Sequence, residues 1–239
     1  MTYSKELNAS TSLCGANCNL SPIGFLQIVQ DVICEYFESI GIDQITIKQK
    51  HNAVWVFLKN KLKVFENIFW NEKYKVDCFI SFKSQAKLIV DTKFCSLDGK
   101  IKAYAKTEIC LVDLATFRIR RISSEILPED FATKNSFCDI SFEKFESDGL
   151  MYVSSAKVES THIDSCGHCN NVEYLRILFN TYSAIELNKL DIESLEIVYI
   201  SQSLEGETLD IYSKIVENCH IFEFKSQDKS IFKCKIIVR

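Results

Sequence analysis

Proline occurs twice and glycine seven times in 239 residues. So few chain breakers leave little room for irregular backbone and point to long regular elements. Uninterrupted apolar runs near the ~20 residues of a bilayer-crossing helix are also missing, which excludes a spanning helix. Positive charge is not in excess: 28 Lys and Arg face 32 Asp and Glu, for a net charge of -4. With no long basic run, broad nucleic-acid affinity has no electrostatic basis. The opening MTYSKELNAS lacks the apolar stretch of a secretory leader, so a cytoplasmic location is expected. Eleven cysteines are an odd number and cannot all pair. Without an export signal, reduced and mostly buried thiols are expected. Cys34, Cys78, Cys110 and Cys234 fall in apolar patterns and are expected in the core.

What is present is a chain 47% hydrophobic and 25% charged, enough for a well-buried interior. Ser21-Pro22 opens a helix of about 20 residues, with Ser as N-cap and Pro at the first helical position. Phe25, Val29, Val32, Ile33, Tyr36, Phe37 and Ile40 recur at helical spacing, and Gly41 offers a stop. Strands are expected over 53–65, 73–82, 86–95 and 101–113, the last two joined through the tight-turn pair Asp98-Gly99. The pattern then repeats. A strand at 151–159 precedes a second long helix capped by Asn171, with Tyr174, Leu175, Leu178, Tyr182 and Ile185 on one face. Strands at 195–203, 208–216, 219–224 and 231–238 follow. CGANCN (14–19) before the first helix resembles CGHCNN (166–171) before the second, which suggests a tandem duplication. The periodicity alone gives a helix plus antiparallel sheet, twice.

The stretch DSCGHCNNVEYL (164–175) places an acid, two thiols, an imidazole and two amides just ahead of that second helix. Cys166-x-x-Cys169 has zinc-like spacing, and Cys14, Cys18 and His162 could complete a ligand set. Against this, Gly167-His168 fills the knuckle and a helix starts at once, so no metal is expected. Asn170 and Asn171 suit capping and tight backbone geometry. Asp164 suits a turn before a helix, and His168 a hydrogen bond within a buried loop.

Three stretches resemble the acyl-acyl-carrier-protein (acyl-ACP) thioesterases of plants and bacteria: Trp55-Val56 with its following strand, the arginine-rich RIRRIS at 118–123, and DSCGHCNNVEY, similar to that family's D-x-N-x-H-x-N-N-x-x-Y. The resemblance runs over about residues 10–238. It implies an α+β fold, a tandem double hotdog in which each half wraps an antiparallel sheet around a long helix. Residues 1–125 would form the N-terminal hotdog with the acyl-chain pocket, 126–149 a linker, and 150–239 the C-terminal hotdog with the catalytic loop. Two departures stand out: Cys166 replaces the family's Asn, and Gln202, four residues before Gly206, replaces its Glu.

The activity so implied is hydrolysis of fatty acyl thioesters on ACP, releasing free fatty acid, without a cofactor. Water attack needs a base and donors for the developing oxyanion. His168 is the candidate base and Asp164 its orienting or water-holding partner. Cys166 is either a nucleophile or a small space-filler, and Gln202 can hold water but cannot act as a base. Asn170 and Asn171 mark the electropositive helix tip that would polarise the carbonyl. Phe25, Val29 and Trp55 are candidates for the acyl tunnel and equally for the core. Arg118, Arg120 and Arg121, with Lys59, Lys61 and Lys63, are candidates for docking an acidic carrier, against the plainer reading of a charged strand face. An acyl-coenzyme A thioesterase or a catalytically degenerate acyl-binding module remain the alternatives. A monomer or a homodimer fits a chain that already pairs two hotdogs.

Overall fold

The computed structural model describes residues 1–128, 131, 136 and 140–239. The remainder of the expected linker, residues 129–130, 132–135 and 137–139, lies outside the described residues. In the first half, β1 (Tyr3–Asn8) leads to α1 (Pro22–Ser39), α2 (Gln44–His51), β2 (Ala53–Val64), β3 (Lys73–Lys83), β4 (Leu88–Ser96) and β5 (Ile101–Asp113). In the second, β6 (Met151–Lys157) leads to α3 (Asn171–Phe179), α4 (Ala184–Lys189), β7 (Ile192–Tyr199), β8 (Thr208–Val216), β9 (Cys219–Ser226) and β10 (Lys229–Val238). All ten strands join in one antiparallel sheet ordered β1-β3-β4-β5-β2-β7-β10-β9-β8-β6. The two halves meet edge to edge where β2 pairs with β7, from Lys59 opposite Val198 to Lys63 opposite Ser194. This is the α+β double hotdog expected above. No described helix is long and apolar enough to cross a membrane.

α1 begins as its sequence dictates. The Ser21 side chain accepts from the Gly24 N–H, and Pro22 takes the first helical position. Phe25, Val29, Val32, Ile33, Tyr36 and Phe37 are all buried, and Phe25 meets Phe94 of β4 edge to face at 5.1 Å. Gly24 could carry no side chain: a Cβ there would lie 2.2 Å from the Leu13 carbonyl oxygen.

The second half departs from the expected long helix. α3 has nine residues against eighteen in α1. The chain turns after Phe179, where the Tyr182 N–H donates to the Phe179 carbonyl. Ser183 then starts α4 with its own capping box to Glu186. Tyr182 and Ile185 therefore leave the α3 face, and Ile185 is exposed. The cap of α3 is Asn170, one residue before the expected Asn171. β1 and α2 were not expected: β1 is a short edge strand, and α2 (QITIKQKH) buries only Ile47. β7 runs from Ile192 to Tyr199, earlier than the expected 195–203. Among the thiols assigned to the core, Cys78, Cys110 and Cys234 are buried, whereas Cys34 lies on the exposed side of α1.

Charge is buried at the seam. Lys61 of β2 and Glu196 of β7 are 8% and 3% exposed and lie 2.9 Å apart. The Lys61 ammonium also donates to Glu143 at 2.8 Å and to the Ser141 carbonyl at 2.7 Å, and the Glu143 N–H donates to Glu196 at 2.7 Å. The chain approaching β6 is thus clamped across both halves. Burial pulls the Lys61 ammonium down, but Glu143 and Glu196 more than offset it, so its pKa lies above the ordinary value. Lys61 and then Lys235 hold Glu143 at about 2. Its ion pairs therefore stabilise the fold fully above the ordinary glutamate range and fade as pH falls through about 2.

Removing Lys61 leaves Glu196 buried without its cation, which costs about 3 kcal/mol or more. Urea unfolding of Lys61→Ala should show a loss of that size, and the apolar pair Lys61→Met with Glu196→Leu a clearly smaller one.

Candidate functional site

The loop ahead of α3 is a copy of the loop ahead of α1, with a register that the cysteines disguise. Isolated bridges join Cys14 to Leu20 and Ile163 to Cys169, an offset of 149 in both pairs. Gly15 N–H donates to the Asn19 carbonyl as Asp164 N–H does to that of His168, and Cys18 and Gly167 both adopt positive φ (59° and 81°). Matching CGANCN with CGHCNN thus slips the alignment by three residues. In the structural register Asn19 stands where His168 stands, Asn17 where Cys166 stands, and Ser21 where the cap Asn170 stands.

Asp164 shapes this loop. Its Oδ1 accepts from the Cys166 N–H at 2.8 Å and lies 3.5 Å from the His168 N–H. Its described contacts are with backbone, and none is with the imidazole. His168 is partly buried, and its Nδ1 is enclosed with no hydrogen-bond partner among the described residues. A buried ring nitrogen without a partner is costly in a folded loop, and it leaves the imidazole free to bond a small polar molecule.

Asn170 caps α3 by accepting from the Val172 N–H at 3.0 Å. That leaves the Asn171 N–H at the electropositive tip as a donor. The tip is fixed from below: Tyr199 donates to the Asn171 carbonyl at 3.3 Å and accepts from Asn60 Nδ2 at 3.4 Å, while Thr107 donates to Asn60 Oδ1 at 2.7 Å. A polar relay thus runs from β5 through β2 and β7 to the first residue of α3. Nothing in the spacing of Thr107, Asn60 and Tyr199 announces it.

The remaining candidates fall around this loop or away from it. Cys169 is 5% exposed, and burial pushes its thiol up to about 12, which makes it a poor nucleophile. Its N–H donates to the Ser203 carbonyl at 2.9 Å, so Gln202 flanks the loop. Gln202 is exposed and sits in the turn after β7. Cys166 is exposed and receives Gln44 Nε2 at 3.6 Å. Gln44, which sequence reasoning missed, comes from α2 of the other half, and its Oε1 accepts from the Trp55 N–H at 2.8 Å.

Phe25, Val29 and Trp55 are 2%, 1% and 8% exposed and pack in the core. A hollow of about 710 Å³ opens among Leu204–Thr208, Asp210, Ser226 and Gln227; neither His168 nor Gln202 lines it. Arg118 and Arg121 are exposed, whereas Arg120 reaches the His51 carbonyl and Asp113. Lys59, Lys61 and Lys63 face Glu108, Glu196 and Glu193 respectively. Those three lysines are ordinary paired charges on the sheet. Among the described residues no three His, Cys, Asp or Glu side chains converge as metal ligands; exposed Cys166 and buried Cys169 point to different surroundings.

Residues 146–237 match the acyl-ACP thioesterase C-terminal domain family. The match contains the whole Asp164–Tyr174 loop and Gln202. Over the full chain, the structure is similar to an acyl-ACP thioesterase from Bacteroides thetaiotaomicron, with TM-score 0.90, 18% identity and coverage of 100% of this chain and 98% of that one. It is also similar to the 12:0-ACP thioesterase from Umbellularia californica, with TM-score 0.88, 15% identity and coverage of 100% and 97%. No curated protein sequence matches the chain. The chain shares the fold of these two proteins.

Asn170→Ala removes the α3 cap at a cost of about 1 kcal/mol. Thermal melting should show a drop of about 2–4 °C for a chain of this size, while Asn170→Ser should stay close to the parent.

Proposed function

We propose that the protein hydrolyses fatty acyl thioesters carried on acyl-carrier protein in the cytoplasm. His168 is the general base. It takes a proton from water as the water oxygen attacks the thioester carbonyl. Negative charge on the carbonyl oxygen is met by the Asn171 N–H at the tip of α3, with the Asn171 carboxamide beside it. Collapse of the tetrahedral intermediate breaks the carbon–sulfur bond, and the departing thiolate of the carrier arm regains the proton from the imidazolium. Free fatty acid and carrier thiol are the products. Asp164 holds the loop that presents His168, and Gln202 orients the water through its amide. Cys166 fills space at the loop's tip. Phe25, Val29 and Trp55 form the apolar floor toward which the acyl chain is directed.

The observation that carries this reading is the enclosed, unpartnered Nδ1 of His168, in a loop that lies within the thioesterase family match. A competing reading, an acyl-binding module without turnover, draws on Cys166 and Gln202 in place of an amide and a carboxylate. A coenzyme A thioester is the other carrier to compare.

Steady-state hydrolysis of acyl-ACP and acyl-coenzyme A by the purified protein separates these readings. The expected result is turnover that prefers the ACP thioester and falls at least 100-fold in His168→Ala. Cys166→Ala should retain most activity. Gln202→Glu, which restores a carboxylate at the water, should raise kcat. Unchanged turnover in His168→Ala would overturn the site, and tight acyl binding without turnover would establish the binding module.

A further inference from the structure

The structure assigns a docking surface for an acidic carrier protein to α2 and the Arg118–Arg121 segment, on the first half but at the rim of the second half's loop. This inference rests on the thioesterase reading and adds where the carrier sits.

Three observations on this one surface support it. The first is position. Gln44, the first residue of α2, touches Cys166, so the helix starts at the candidate catalytic loop. Gln44, Lys48 and His51 are spaced by four and three residues and share one helix face. The stripe runs about 10 Å, at 1.5 Å per residue, from the loop to the helix's C-terminal end. There Arg120 grips the His51 carbonyl and the Leu114 N–H donates to the Asn52 carbonyl. The Arg118–Arg121 segment is thereby fastened to the far end of the stripe.

The second observation is charge. Lys48, Arg118 and Arg121 are exposed. Asp43 caps the start of α2, and Asp113 accepts from the N–H groups of Ala115 and Thr116 and faces Arg120, so each carboxylate is turned to its own segment while keeping its charge. The lysines on β2, by contrast, are matched by acids. In a chain of net charge -4, this is a local positive surface beside the site.

The third is exposed apolar area on the same two segments. Ile45, Phe117 and Ile119 are 68%, 80% and 60% exposed. Phe117 is also held at φ +55°, a conformation that costs a bulky side chain energy. A basic rim around exposed aliphatic and aromatic side chains fits an acidic helical surface with apolar residues of its own. A carrier docked here delivers its thioester arm along the Lys48–Gln44 stripe toward His168.

The test compares two substrates with the same acyl group, one on ACP and one on the small uncharged carrier N-acetylcysteamine. Binding of ACP without acyl group is measured separately by calorimetry at low salt. For the triple variant Lys48→Glu, Arg118→Glu, Arg121→Glu, kcat/KM on acyl-ACP should fall at least 30-fold through KM. Hydrolysis of the small thioester should stay within two-fold, and ACP affinity should drop by a similar factor to the acyl-ACP loss. Lys229→Glu, far along the chain in β10, should leave all three unchanged. Phe117→Ala should weaken ACP binding several-fold. Undiminished ACP affinity in the triple variant overturns the surface. So does a loss of binding only to anionic vesicles or to a second copy of the chain. If the parent protein hydrolyses neither thioester, the catalytic reading fails, and the calorimetric comparison still decides the docking surface.

Discussion

The pairing of β2 with β7 is the constraint on which the rest of the molecule depends. It closes two sheet edges that would otherwise be open to association, and it brings a loop from one half against a helix from the other. It also places polar groups inside the sheet. Lys61 with Glu196, and Asn60 with Tyr199, sit on the two paired strands. Their need for partners fixes the register, because a one-residue slip would send each side chain to the opposite face. An apolar seam of the same area would bind as well and tolerate slippage better. The cost of desolvating these groups is offset only in the single arrangement that pairs them. The same register sets Tyr199 beneath Asn171 and so aims the tip of α3.

The two loop–helix units share one backbone plan, and the sequence fills them differently. Each loop keeps the same backbone hydrogen bonds and the same positive-φ position. Gly167 meets that position at no steric cost. Cys18 meets it with a side chain. At the structurally matched position one loop carries the Asn19 amide and the other the His168 imidazole, and each has an enclosed side-chain atom without a partner. The backbone geometry is therefore shared, while the side chain at its centre is not. The helices diverged as well. α1 is twice as long as α3 and fills its half with Phe25, Val29 and Tyr36.

Much of this fold was legible because strands and helices with one buried face write their period into the sequence. β5 and β8 fall on their expected residues, and α1 starts at its Ser-Pro signal. Where one period competes with a local cap, the sequence misleads. Tyr182 and Ile185 continue the α3 spacing, yet Ser183 and Glu186 form a capping box that starts a new helix. Paired cysteines misled in the same way, since backbone bridges and not thiols define the repeat. The candidate site was legible in its linear part, Asp164 to Asn171, where the residues are contiguous. Gln44, Asn60, Thr107 and Tyr199 were not, because their relation to that loop exists only after β2 and β7 have paired.

α2 shows why such an element escapes pattern reading and still has to form. Eight residues are too few for a stable isolated helix, and only Ile47 is buried, so neither length nor an apolar face drives it. Its ends do. Asp43 accepts from the N–H groups of Ile45 and Thr46 at 3.0 Å each. Asn52 closes the other end in the left-handed conformation at φ 48°, and Trp55 Nε1 anchors the preceding Ile42 carbonyl at 2.7 Å. Arg120 then satisfies the His51 carbonyl from a strand-like segment some seventy residues later. A helix stabilised at its termini has no packing demand on most of its faces. Those faces can carry lysines and an exposed isoleucine beside a loop contributed by the other half of the molecule.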